Sequence, residues 1–133
     1  MRVHRLPGLA ALWILAIVAA ACAGSPRYRV ESAAAVWTGK ASYYHDRFHG
    51  RPTASGEIYD RNALTAAHRS LAFGTVLRVR NPQNGRTVRV VVNDRGPFVA
   101  GRVLDLSRRA AEELDFVHEG VVEVEIVILD APG

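Results

Sequence analysis

The chain of 133 residues carries 17 Lys and Arg against 13 Asp and Glu, a formal charge of +4. Two of those arginines, Arg2 and Arg5, stand in an N-terminal leader, so the rest keeps 15 basic against 13 acidic side chains, close to neutral. Arginines alternate with acids and form no basic stripe, so nucleic acid is not an expected partner, and the length leaves room for one small core.

The leader places Leu9 to Ala21, an uncharged apolar run, after Arg2 and Arg5 and before small residues. It is short for a membrane-spanning helix and has the basic, apolar and small order of a secretory signal, expected over 1–21. Cys22, the one cysteine, follows directly and has no internal disulfide partner. Ala20, Ala21 and Cys22 resemble the lipobox of bacterial lipoproteins, although Ala19 stands where leucine is usual. Two outcomes are open, a lipid anchor on Cys22 or ordinary cleavage after Ala21, and the anchor is favoured because Ala23-Gly24-Ser25-Pro26 reads as a tether within 22–35. Either outcome exports the protein to the cell envelope, on the periplasmic side, and the anchor would make the membrane a partner.

Short strands follow. "VWTGKASYY" (Val36 to Tyr44) predicts a strand with Gly39 as a bulge. From His45 to Asp60 the pattern gives way to a stretch rich in Gly, Pro and Ser, a long ordered loop of the kind that carries function. "ALTAAH" is a short strand or one helical turn. "TVLRVRN" and "RTVRVVVN" alternate and are joined by "PQNG", in which Asn84-Gly85 would supply positive-φ positions. "RVLDL" is another strand, and "SRRAAEELDF" is a short helix with Ser107 as N-cap. "GVVEVEIVIL" alternates with Val122, Val124, Ile126 and Ile128 on one side. About six strands and one helix over 36–130 imply a single small barrel, closed or nearly so, antiparallel or mixed.

Three polar groups stand at loops or strand ends. Glu57, after Ser55-Gly56 and beside Ile58 and Tyr59, is either a surface turn residue or a carboxyl whose apolar neighbours raise its pKa and fit it to donate a proton. His68 ends the small, apolar "LTAA" and is either a core histidine or a group that orients a carboxylate. Asp94, in "VVVNDRGP", either caps an Asx-turn or presents a carboxylate with Arg95 beside it. His45 and His49 lie four apart, but Gly50 and Pro52 oppose the helix a zinc site needs, so no metal and no cofactor is expected. "TASGE" around Ser55 lacks a nucleophile elbow. Two carboxylates and a histidine in an exported barrel suggest acid/base work on a glycan.

"GKASYYHDRFHGRPTASGEIYDRNALTAAH", "GTVLRVRNPQNGRTVRVVVNDRGPF" and "GRVLDLSRRAAEEL" resemble the rare lipoprotein A family of bacterial envelope proteins from about Thr38 to Leu129. The resemblance implies a six-stranded double-psi β-barrel, shared with A-type membrane-bound lytic transglycosylases and the first domain of expansins. It implies endolytic cleavage of peptidoglycan between N-acetylmuramic acid and N-acetylglucosamine, with a 1,6-anhydromuramyl product and a preference for strands stripped of stem peptides. It assigns catalytic roles to Asp94, Glu57 and His68, with Asp94 as the acid by analogy and Glu57 as the other candidate. Tyr44, Phe48 and Tyr59 would stack on sugars, and Arg95 would hold Asp94 or a substrate carboxylate. A monomer is expected. The chain ends at Gly133, so septal targeting by the C-terminal glycan-binding module of many members is not expected here. The other reading is a glycan-binding or expansin-like wall-loosening module without catalysis.

Overall fold

The computed structural model describes residues 36–133, and the expected signal, the tether and Cys22 lie outside the described residues. Six strands are present: β1 Trp37–Tyr43, β2 Thr65–Ala67, β3 Val76–Arg80, β4 Thr87–Asp94, β5 Arg102–Leu106 and β6 Val122–Asp130. They close in the order β1-β5-β2-β4-β3-β6. β1 with β5 and β2 with β4 are parallel, while every other neighbouring pair is antiparallel. This is the expected six-stranded double-psi barrel. Closure matters in a sheet of such short strands because it leaves no unpaired edge.

Alternation supplies the core. In β3 and β4, Leu77, Val79, Val88, Val90 and Val92 point inward, and Leu104, Leu106, Val122, Val124 and Ile126 meet them from β5 and β6. Between β5 and β6 lies one helix, α1 (Arg108–Glu113). The Ser107 hydroxyl accepts the Ala110 N–H at 3.2 Å and donates to Ala63 O at 2.6 Å, so the N-cap also ties the helix to the segment before β2. Ala110 and Ala111, with Leu114 and Phe116 just beyond, face the core.

Four local details differ from the sequence pattern. The long loop contains one 3-10 turn, Asp46–Phe48, and a bridge between Pro52 and Ile58. Only Gly85 of the Asn84-Gly85 pair has positive φ, because the connection spans six residues between Arg80 and Thr87 and needs no two-residue turn. Asn84 acts through its side chain, donating to Leu114 O at 2.9 Å and accepting the Arg86 N–H at 2.9 Å. In β6, Val127 is buried and Ile128 is 37% exposed, where the pairing to β3 shifts register near Leu77. The β1 irregularity lies between Lys40 and Ala41, one residue beyond Gly39.

Gly39 is required for another reason. A Cβ there would stand 2.6 Å from both Val103 Cγ atoms, inside van der Waals contact. Gly39→Ala is expected to lower stability by about 1–3 kcal/mol, read as the midpoint of a denaturant melt. Gly39→Ala combined with Val103→Ala should recover part of that loss, and additive losses would count against the contact.

Candidate functional site

β4 carries Asp94 as its last residue, and the parallel pairing with β2 sets it beside Ala67. The His68 N–H donates to Asp94 O at 3.2 Å, so the histidine and the aspartate leave adjacent strand ends. The Asp94 carboxyl receives three donors. Oδ1 accepts the Ala54 N–H at 2.9 Å and the Arg95 N–H at 2.8 Å, and Oδ2 takes the Tyr44 hydroxyl. An Asx-turn would have aimed the carboxyl at the N–H of Gly96. Instead it takes the N–H of the next residue, Arg95, and reaches across to Ala54, forty positions earlier.

This seat distinguishes the two oxygens. Backbone N–H groups only donate, so Oδ1 is fixed as an acceptor; a hydroxyl can donate or accept, so Oδ2 is the oxygen able to carry a proton. Burial first, then the hydrogen bond to Asp94, push the Tyr44 phenol far above its ordinary value of 10.0. Tyr44 therefore keeps its proton at neutral pH.

Glu57 is brought to the same place by its turn. The Thr53 N–H donates to Glu57 O at 2.7 Å, the Glu57 N–H donates to Ser55 Oγ at 3.3 Å, and Gly56 takes φ of 90° between them. The Ser55 N–H docks the turn on Asn93 O at 3.2 Å, and Asn93 Nδ2 donates to Glu57 Oε2 at 3.4 Å. Glu57 is exposed, and its neighbour Ile58 is 56% exposed, so the apolar shelter expected around the carboxyl is absent.

The His68 imidazole serves its own loop. Nδ1 accepts the N–H groups of Ser70 at 3.1 Å and Leu71 at 3.0 Å, which assigns the ring proton to Nε2. Burial lowers its pKa below the ordinary 6.5, and the Arg95 and Arg69 charges lower it further. Among the described residues the ring makes no hydrogen bond to either carboxylate, and its edge meets Trp37 at 6.4 Å. Arg95 does not hold Asp94 with its side chain. Its guanidinium donates to His68 O at 3.3 Å and Leu71 O at 2.7 Å and lies 4.0 Å from the Phe73 ring centroid.

Of the three expected sugar platforms, Tyr59 is a correction. It is 2% exposed, and its hydroxyl accepts the Arg108 N–H at 3.1 Å. Its ring supports Tyr44 from below, with centroids 4.6 Å apart. Tyr44 and Phe48 do line a groove of about 510 Å³, with Ser42, His45, Arg102 and Asp105 among its walls. Ser42 Oγ donates to Asp105 Oδ1, and Arg102 approaches Ser42 Oγ at 3.5 Å.

The sequence reading missed Ser42, Arg102 and Asp105. One signal was available: Asp105 is an acid inside the otherwise apolar "VLDL", and such a residue faces outward for a purpose or finds a buried partner. Among the described residues no three metal-ligating side chains gather. His45 and His49 instead accept the N–H groups of Arg47 at 3.0 Å and Arg61 at 3.1 Å.

Comparison with known proteins gives consistent results. The model of the family described as lytic transglycolase matches residues 36–126. A probable endolytic peptidoglycan transglycosylase RlpA of Treponema pallidum is 57% identical over 88 residues, covering 66% of this chain and 28% of the relative. The endolytic peptidoglycan transglycosylase RlpA of Neisseria meningitidis serogroup A is 53% identical over 89 residues, covering 67% and 37%. The chain thus spans well under half the length of these relatives. Among solved structures, the apo Clavibacter michiganensis expansin matches with a TM-score of 0.60 and 25% identity, over 74% of this chain and 52% of the other. A Streptomyces papain inhibitor matches with a TM-score of 0.60 and 27% identity, over 72% and 96%.

The depressed pKa of His68 has a stability consequence. Folded His68 binds its proton less readily than the unfolded chain does, so its contribution is complete above about 6.5 and is lost as pH falls below it. An NMR titration should place the His68 midpoint below 6.5, and His68→Gln should flatten the decline of stability below that pH. A midpoint at or above 6.5 would contradict the assignment.

Proposed function

Because this chain belongs to the rare lipoprotein A family of lytic transglycolases, we propose that its barrel is an endolytic peptidoglycan transglycosylase acting between N-acetylmuramic acid and N-acetylglucosamine. The single observation that carries the reading is the Asp94 seat, with Oδ1 locked by two backbone donors and Oδ2 left to the Tyr44 hydroxyl. One carboxyl that must act first as acid and then as base needs a fixed orientation and one oxygen that no backbone N–H occupies. This seat supplies both.

In the proposed reaction, protonated Asp94 Oδ2 gives its proton to the glycosidic oxygen as the bond to muramyl C1 breaks. The muramyl C6 hydroxyl then closes on C1 and returns its proton to Oδ2. The products are a 1,6-anhydromuramyl end and a free N-acetylglucosamine hydroxyl; no water is consumed, and the carboxyl is restored. This differs from both hydrolytic geometries, which require a second carboxylate as base or nucleophile. Tyr44 stays protonated and shares Oδ2 in both states. Glu57 is exposed at the edge of the site and accepts a sugar hydroxyl or amide N–H while placing negative charge near the oxocarbenium-like centre. Neutral His68 supports the strand end beside Asp94 and, with its proton on Nε2, is a donor. Strands without stem peptides are the proposed preferred substrate.

The cellohexaose complex of an expansin mutant that shares the fold, at a TM-score of 0.57 and 25% identity, supports extended glycan as the ligand class. It also makes wall loosening without cleavage the reading to defeat. Incubation of the purified chain with amidase-treated peptidoglycan should yield anhydromuramyl ends by mass spectrometry. Asp94→Asn should reduce the yield by at least about a hundredfold, the usual scale for loss of a general acid. Equal yields from Asp94→Asn and wild type would sink the mechanism, and binding without anhydro ends would favour the expansin-like alternative.

The same proposal covers location. The chain is exported, cleaved before Cys22 and held on the periplasmic side of a membrane by a lipid on that thiol, acting there as a monomer. Globomycin should cause the unprocessed precursor to accumulate, and Cys22→Ser should release the protein into the soluble envelope fraction. A precursor that is processed identically in both conditions would leave the ordinary signal-peptide route.

A further inference from the structure

Arg102 is the one cation in the groove wall, and its guanidinium is loosely held. Its side-chain contact is a 3.5 Å approach to Ser42 Oγ. Asp105 shares that hydroxyl, yet among the described residues Arg102 makes no ion pair within 4.0 Å. By contrast, the backbone of Arg102 is fixed, because Arg69 donates to its carbonyl at 3.3 Å and its own N–H reaches Val99 O at 3.1 Å. A rigid base with an uncommitted planar fork is a receptor for a carboxylate.

The link from Arg102 toward Asp94 runs along β1 and the residue after it. Ser42 and Tyr44 are two residues apart along the same extended segment, which continues past β1 through the Tyr44 N–H to Leu106 O at 3.0 Å. Alternate residues of a strand share a face, and two steps cover about 7 Å. Ser42 leads to Arg102, and Tyr44 leads to Asp94. The groove is thus lined by Ser42, Tyr44 and Arg102, while Asp94 is not among its lining residues and is linked to it through the Tyr44 hydroxyl.

We propose that Arg102 binds the free lactyl carboxylate of N-acetylmuramic acid, and that this contact makes the enzyme prefer strands without stem peptides. A stem peptide converts that carboxylate into a neutral amide, which offers Arg102 no charge and adds bulk to the groove. Asp105, oriented by Ser42, accepts a hydroxyl of the same ring. This inference rests on the proposed transglycosylase reading for its substrate, but the binding contrast it requires is independent of turnover.

The test compares two muramyl oligosaccharides of equal length, one with free lactyl acids and one with lactyl methylamides. Affinities are measured by calorimetry with the full chain carrying Asp94→Asn, alone and with Arg102→Gln or Arg102→Lys. The parent should favour the acid by about tenfold, the effect of one charge-assisted hydrogen-bonded pair. Arg102→Gln should bring the ratio to about one, and Arg102→Lys should retain part of it because the charge remains without the fork. A parent that binds acid and amide alike, or an Arg102→Gln variant that keeps the tenfold ratio, overturns the proposal. A Gln variant weakened equally toward both sugars also overturns it, since that is loss of shape and not of charge recognition. If the ratio behaves as expected while wild type makes no anhydromuramyl ends, the subsite stands and the catalytic reading falls.

Discussion

Two donors from distant parts of the sequence and one from the next residue meet at one carboxyl. The Tyr44 hydroxyl, the Ala54 N–H and the Arg95 N–H all end on Asp94, and the rest of the site is arranged around that junction. The loop over residues 45–60 has little core of its own: Tyr59 is its buried anchor, and backbone pairs such as Gly50 N–H to Tyr59 O at 2.9 Å hold its base. Toward its tip the loop is fastened by Ser55 to Asn93 and by Ala54 to Asp94. Hydrogen bonds of this kind contribute about 0.5–1.5 kcal/mol each, and together they order a segment that propensity and burial leave loose. Asp94 thus holds in place the loop that carries Glu57.

The two connections flanking Asp94 and His68 grip each other through arginines. Arg69, just past β2, donates to the carbonyls of Pro97 at 2.7 Å and Val99 at 3.0 Å in the segment after β4. Arg95, just past β4, donates to the carbonyls of His68 and Leu71 in the segment after β2. Connections that leave strand pairing have carbonyls without ladder partners, and each guanidinium satisfies several at once. The exchange has an electrostatic result as well. Both charges lower the His68 pKa in the same direction as burial, so the fastening that aligns the two strand ends also keeps the imidazole neutral.

What the sequence revealed followed the range of each signal. Alternation in "TVLRVRN" and "RTVRVVVN", and the Ser107 cap, are local rules, and β3, β4 and α1 lie close to where those rules put them. Glu57, His68 and Asp94 each interrupt an apolar or turn pattern in the sequence; Asp94 and His68 leave neighbouring strand ends, and the Glu57 turn docks on Asn93. The parallel pairings β1 with β5 and β2 with β4 were beyond local pattern, and with them went the register that sets Ser42 against Asp105. Tyr59 was misread for a related reason: an aromatic in a polar loop looks exposed unless the loop folds back, and Tyr59 is what the loop folds back with. Tyr44 was identified as a ring, whereas its hydroxyl makes the contact with Asp94. Ring and hydroxyl point to different neighbours, and only the assembled barrel separates them.

A barrel of this shape also occurs in a papain inhibitor and in expansin, so the packed interior does not choose a chemistry. The choice has to lie in what the strand ends present. Here the Tyr44 ring walls the groove while its hydroxyl lies against Asp94, so a ligand that moves the ring also moves the donor on Oδ2. Tyr59 below and Phe48 at 5.9 Å beside it restrict the ring, and that restriction keeps the hydroxyl on the carboxyl. For the proposed reaction, preorganisation of this kind lowers the reorganisation needed at the reacting step. In this barrel it is supplied by an aromatic stack that the surrounding loop builds, with the buried Tyr59 at its base.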